Sequence, residues 1–155
     1  MLFSTQAEVK VTFPLEEDSW HGHATETLWA IPMGGHTYSL QNVPFFVVGV
    51  SRFDLVSAIK KDEQLVFQCL QGRSGHSTVR VVSAGGQKGF ERLQTPITTL
   101  RDMGCEVERG NVADVCVYAV DVPTNVNFDA VIGLLDEMAS RGGIDWEMGN
   151  DAHPD

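Results

Sequence analysis

The run Val115-Cys116-Val117-Tyr118-Ala119-Val120 constrains this chain more than any other segment. Its residues are mostly β-branched or aromatic, it continues to Val122, and Pro123 stops it, so it reads as a strand. Side chains alternate between the two faces of a sheet. A strand that is apolar at odd and even positions therefore needs cover on both faces. The rest of the sequence has to supply two layers, one on each side.

The flanking pattern supplies one of them. Residues 78–82 form a strand. Phe90, Leu93, Ile97, Leu100 and Met103 then recur at helical spacing up to Gly104. Pro96 either kinks this helix or marks a fresh start with Thr95 as cap. A strand over 105–108, a Gly110-Asn111 turn and the apolar strand follow. Asn127 caps a second helix whose core face is Phe128, Val131, Leu135 and Met138, with Ile132 beside it. Gly142-Gly143 ends that helix, and 144–147 form a last strand. The order β-α-β-β-α-β is that of the ferredoxin-like split motif, with both helices on one face. The other face falls to the N-terminal strands, to a partner, or to a second copy of the chain in a homodimer.

The first half has no helical periodicity. Val9, Val11 and Phe13 alternate with polar residues up to Pro14, and 25–31 form a second strand with Leu28, Trp29 and Ala30 at its centre. This placement makes Trp29 a core residue. Met33-Gly34-Gly35-His36 is a hairpin turn into 37–40. Asn42-Val43-Pro44 breaks the pattern before a short apolar segment over 45–50, and strands over 55–59 and 65–70 flank the charged turn Lys60-Lys61-Asp62-Glu63. Five or six close-set strands predict a small antiparallel β-barrel or curled sheet. The fold class is α+β: a β-rich half over 1–72 packed on a ferredoxin-like half over 73–149, with a loose tail over 150–155.

Charge bounds the partners. Among 155 residues, 11 Lys and Arg stand against 21 Asp and Glu, a formal charge of −10. Phosphate backbones and anionic lipid surfaces attract cationic residues, so neither nucleic acid nor membrane is an expected partner. A basic protein is, although such a charge also keeps a protein soluble. Cys69, Cys105 and Cys116 are odd in number and show no CxxC spacing, which suits a reducing cytoplasm. Cys69 and Cys116 read as small buried hydrophobes. The opening residues lack a basic and apolar leader, so no signal peptide is expected.

The densest polar cluster is Arg73-Ser74-Gly75-His76-Ser77-Thr78, where the two halves meet. An arginine fork, an imidazole and three hydroxyls on one turn suit an anion or polar-ligand site, with His76 as acid or base. A Ser–His nucleophile pair would need a third, orienting group from elsewhere. The same residues also suit a turn whose hydroxyls satisfy backbone groups and in which Arg73 or Arg80 pairs with an acidic neighbour. His21-Gly22-His23 with His36 offers three imidazoles but no zinc-site spacing. Gly85, Gly86 and Gly89 match no phosphate-loop motif and read as a strand-to-helix connection. Trp20, Trp146 and Phe45-Phe46 are candidates for a recognition surface. The candidate ligand- or partner-binding residues are therefore Arg73, Ser74, His76, Ser77, Phe45 and Phe46. No catalytic residue, metal ligand or cofactor is assigned.

Five segments of the chain resemble a bacterial family known only as a domain of unknown function. They are Lys10-Val11-Thr12-Phe13-Pro14-Leu15, Glu26-Thr27-Leu28-Trp29-Ala30, Asn42-Val43-Pro44-Phe45-Phe46, Arg73-Ser74-Gly75-His76-Ser77-Thr78-Val79-Arg80 and Ala119-Val120-Asp121-Val122-Pro123. The resemblance implies a bacterial, cytoplasmic, stand-alone domain and carries no activity. By analogy, small acidic bacterial proteins serve as immunity proteins that block a basic toxin. The leading expectation is a non-catalytic binding protein, an immunity-type inhibitor of a basic partner. The alternative is a small-ligand sensor or enzyme centred on Arg73, Ser74 and His76, with Trp29 or Phe45 lining the pocket.

Overall fold

Strict alternation builds the first unit. In β1 (Val9–Pro14) and β2 (Thr25–Gly34), Val11, Phe13, Leu28 and Ala30 all face inward and are buried. β3 (Thr37–Leu40), β4 (Leu55–Lys61) and β5 (Gln64–Gly72) continue the meander through antiparallel ladders. The five strands close into a barrel through β1 and β5, with Val11 opposite Leu65 and Thr12 opposite Val66. That last pair is parallel, which corrects the expectation of a wholly antiparallel barrel. An up-and-down meander with an odd number of strands leaves its first and last strands running the same way. The structure is a computed structural model that describes residues 7–17 and 19–154. The start of the chain, Asp18 of the acidic loop and Asp155 lie outside the described residues.

The same alternation overturns two sequence expectations. Trp29 lies between inward Leu28 and Ala30, so it faces out. It is 41% exposed, with Lys10 Nζ 5.1 Å from its ring centre. Cys69 is exposed as well, its thiol 3.1 Å from Ser57 Oγ.

The second unit runs β6 (Ser77–Ser83), α1 (Gln87–Asp102), β7 (Glu106–Val112), β8 (Val115–Val122), α2 (Phe128–Ser140) and β9 (Asp145–Asn150). Its sheet has the order β7-β8-β6-β9, with antiparallel neighbours throughout. Both helices lie on one face, where Leu93, Ile97, Leu100, Val131 and Leu135 pack with Val79, Val81, Tyr118 and Val120. α1 runs through Pro96 without a restart at Thr95. Asn127 caps α2 through Oδ1, which accepts the Ala130 N–H at 3.0 Å. Gly85 and Gly86 form the β6–α1 connection, while Gly89 lies in the first turn of α1, where an added Cβ would sit 2.6 Å from the Ser83 carbonyl oxygen.

The other face carries Thr78, Arg80, Val117, Ala119 and Asp121, all buried. Its cover is the irregular segment between β3 and β4, in place of the expected strands. Phe45 lies against Gly110 of β7, where an added Cβ would sit 2.9 Å from the ring. Arg80 donates to the Val47 carbonyl, and Gly49 N–H donates to the Gly149 carbonyl at 2.9 Å. Residues 45–50 form no strand because their backbone donors are taken otherwise. The N–H groups of Phe45, Phe46 and Val47 all point at the Glu26 carboxylate, at 2.7–3.0 Å.

The stretch after β9, expected as a loose tail, is tied down within the described residues. Ala152 N–H donates to Ser77 Oγ at 2.9 Å, and the His153 ring stacks on Phe128 at 4.9 Å. No helix among the described residues is long and apolar enough to cross a membrane.

Candidate functional site

The cluster at residues 73–78 sits where barrel, sheet and C-terminus meet, and its buried side-chain polar atoms are all bonded. Asp54 is fully buried. Its two oxygens accept the N–H groups of Ser51 at 2.9 Å and Ser74 at 2.8 Å. Ser74 Oγ donates to the Arg52 carbonyl and accepts the His76 N–H. Thr78 Oγ1 shares a 2.7 Å hydrogen bond with Ser51 Oγ, which also accepts from Asn150 Nδ2. Arg73 Nη1 donates to Asn150 Oδ1 at 3.2 Å. These bonds join the β3–β4 segment of the barrel unit to the sheet.

Ser77 does meet an imidazole, that of His153, at 2.6 Å. His153 Nε2 donates to the Pro123 carbonyl at 2.8 Å, which leaves Nδ1 of the neutral ring to accept from Ser77. Ser77 Oγ is fully buried and already accepts the Ala152 N–H. The pair therefore has the geometry of a latch on the C-terminal segment, with no access for a substrate carbonyl.

His76 is partly exposed, with 17% of its side chain accessible. Its Nδ1–H donates to Asp121 Oδ1 at 2.8 Å. Burial pushes the Asp121 carboxyl above the usual carboxylate range. The His76 hydrogen bond and charge, and Arg52 at 3.9 Å, oppose that rise. Phe53 packs edge-on against His76 at 5.3 Å, and the Arg52 guanidinium lies 4.6 Å from the Phe53 ring centre. Phe53 holds a φ of 70°, a left-handed conformation that costs a bulky residue energy.

Arg80 is the largest fully buried side chain. Nη2 reaches Val47, while Nε and Nη1 find no partner among the described residues. Burial lowers its pKa; Glu147 and Glu26 act against that. His21 lies over the same region. Burial first, and then the neighbouring His23, lower its pKa. His21 and His23 stack on Phe46, with ring centres 4.2 and 4.8 Å away. Among the described residues no group of three or more His, Cys, Asp or Glu side chains could hold a metal ion.

A cavity of about 470 Å³ opens at the end of the sheet where β6 stops and β8 and β9 begin. Trp20 and Trp146 border it together with Val82, Val115, Ile144, Asp145 and Glu147. The Trp146 indole N–H donates to Asp136 Oδ1 at 3.0 Å.

Residues 26–146 match a family described as a domain of unknown function, DUF4265. The chain belongs to that family. This DUF4265 domain is also similar in fold to a solved structure described as a novel crystal structure of a hypothetical protein from Neisseria gonorrhoeae. The TM-score is 0.79 at 15% identity, over 97% of this chain and 100% of the other. No protein with curated annotation matches it.

Of the residues singled out from sequence, Arg73, Ser74, His76 and Ser77 gather at the junction of the DUF4265 fold. Phe45 and Phe46 lie elsewhere, on the covered sheet face. Trp29, on the barrel exterior, borders a separate surface hollow with Lys10 and Thr12. Sequence reasoning did not assign Asp54, Asp121 or Glu26 a part. One signal for the burial of Arg80 was available: a lone charge between Val79 and Val81 in a strand otherwise uncharged.

Proposed function

We propose that this chain is a non-catalytic binding protein for a basic protein partner, in its fullest form an immunity-type inhibitor acting in the bacterial cytoplasm, and that its second unit is ferredoxin-like. One observation carries the reading. The hydroxyls and carboxylates with nucleophilic or acid–base potential at the junction are committed to bonds inside the protein, Ser77 Oγ and both Asp54 oxygens among them. What faces solvent is a chain with a formal charge of −10. Such a surface steers a basic partner towards it and loses its pull as salt rises. The test is co-purification of the tagged protein from its native host at low and high salt. The expected result is a basic protein released by salt. Recovery of no partner, or of an acidic one held regardless of salt, contradicts the reading.

A second reading, a small-ligand sensor or enzyme around Arg73–His76, is favoured by the His76–Asp121 pair. A buried carboxylate on Nδ1 orients an imidazole for proton transfer at Nε2. Under this reading a small polar ligand raises the Tm of the wild type and leaves that of His76→Ala unmoved.

A further inference from the structure

Between β1 and β2, residues 19–23 turn back on themselves over the segment that covers the sheet. Gly22 N–H donates to the Ser19 carbonyl at 3.1 Å, with Gly22 at a φ of 71° that suits glycine. The turn lays three rings on Phe46. His21 and His23 stack on it at 4.2 and 4.8 Å, and Trp20 meets it edge-on at 6.3 Å. Phe46 is itself held, its N–H donating to Glu26 Oε1 at 3.0 Å. Trp20 also forms part of the wall of the cavity at the end of the sheet. Where this turn sits therefore decides both how far Phe46 is covered and how far that cavity opens.

One bond fixes the protonation state of the turn. The His23 N–H donates to His21 Nδ1 at 3.0 Å. A ring nitrogen that accepts carries no hydrogen, so the closed turn holds His21 neutral, with its proton on Nε2. A second proton would go to Nδ1 and set two N–H groups against each other. The surroundings of His21 favour the neutral ring as well. Burial lowers its pKa most, and the charges of His23 on the same turn and of Arg80 on β6 act the same way; Glu147 on β9 and Glu26 on β2 oppose them. We infer that residues 19–23 are an acid-released lid, closed over Phe46 and the cavity mouth while His21 is neutral and freed when His21 takes up a proton at Nδ1. The released turn titrates near the ordinary imidazole value of about 6.5 and the closed turn below it. Closure is therefore at full strength above about pH 6.5 and is lost as pH falls.

The experiment is an NMR titration of the ¹⁵N-labelled protein from about pH 8 to about pH 5, across the range in which imidazoles change charge. At the high end the His21 ring nitrogens show Nδ1 bare and Nε2 protonated. His21 then titrates with a midpoint below about 6.5. The indole N–H signal of Trp20 and the backbone N–H signal of His23 move with that same midpoint, while the indole signal of Trp29 on the barrel exterior stays in place. His21→Asn puts an amide oxygen where Nδ1 was, an acceptor with no proton to gain, and loses most of the Trp20 movement. The unmoved Trp29 signal shows that the protein stays folded, and the wild-type titration decides the matter alone if the variant does not fold. A His21 midpoint at or above about 6.5 overturns the inference. So do Trp20 and His23 signals that hold still while His21 titrates, or an unchanged pH response in His21→Asn. None of these outcomes bears on the binding reading, which the salt-dependent co-purification decides separately.

Discussion

The junction at residues 73–78 and the Trp20–Trp146 cavity are both rich in polar and aromatic groups, yet they differ in what those groups are free to do. At the junction, Asp54, Ser51, Ser77, Thr78 and Asn150 are buried and bonded to one another or to backbone. At the cavity, Trp20 is half exposed, and Asp145 beside it is exposed as well. Density of polar residues along a sequence thus marks a place where two layers are stitched together. The groups left open to solvent at the cavity, Trp20 and Asp145, are distant in sequence and are brought to one rim by the fold.

The contrast predicts a graded set of outcomes. The largest effect belongs to Asp54→Ala. Two buried N–H donors lose a charged acceptor, and equilibrium urea unfolding should show a loss of about 3 kcal/mol. Asp54→Asn, which keeps one acceptor oxygen, should lose less. Next comes Gly149→Ala. Its Cβ would lie 2.5 Å from Arg80 Nη1 and 2.9 Å from Cζ, and a buried guanidinium tied to Val47 has little room to retreat. A cost of about 2 kcal/mol is expected by the same measurement.

Asp121→Asn tests the junction through pH. Burial raises the folded-state pKa of Asp121 above its unfolded value of about 3.9. The folded protein therefore holds this proton at a pH where the unfolded chain has released it. The stability from this group is greatest below the unfolded value and is lost as pH rises through the folded one. Relative to Asp121→Asn, the wild type should gain stability as pH falls from 7 towards 4. A pH-independent difference would remove the burial argument. The smallest effect is at the cavity: Trp20→Ala should change stability by less than about 0.5 kcal/mol. A loss as large as that of Asp54→Ala would erase the distinction between the two regions.

How much of this was legible in the sequence follows from range. Alternation and helical spacing are local, so β1, the Asn127 cap and the Gly34-Gly35 hairpin could be read directly. Trp29 was misplaced because hydrophobicity outweighed parity. Its neighbours Leu28 and Ala30 both face in, and the residue between them cannot. The need to cover both faces of Val115–Val122 was legible. The identity of the cover was not, because it depends on Glu26 reaching 19–21 residues along the chain to take three backbone donors. The cluster at 73–78 stood out for its composition. Its partners Asp121, Asn150 and His153 lie 45 to 77 residues away, and only those partners separate a clamp from a reactive site.

The central claim is that the junction makes barrel and sheet one cooperative unit. Two single-tryptophan variants test it most directly, one keeping Trp29 on the barrel and the other keeping Trp146 on the sheet, each unfolded in urea and followed by fluorescence. The account predicts superimposable transitions that Asp54→Ala moves together to lower urea. Two separate midpoints, or an Asp54→Ala shift confined to one tryptophan, would contradict it.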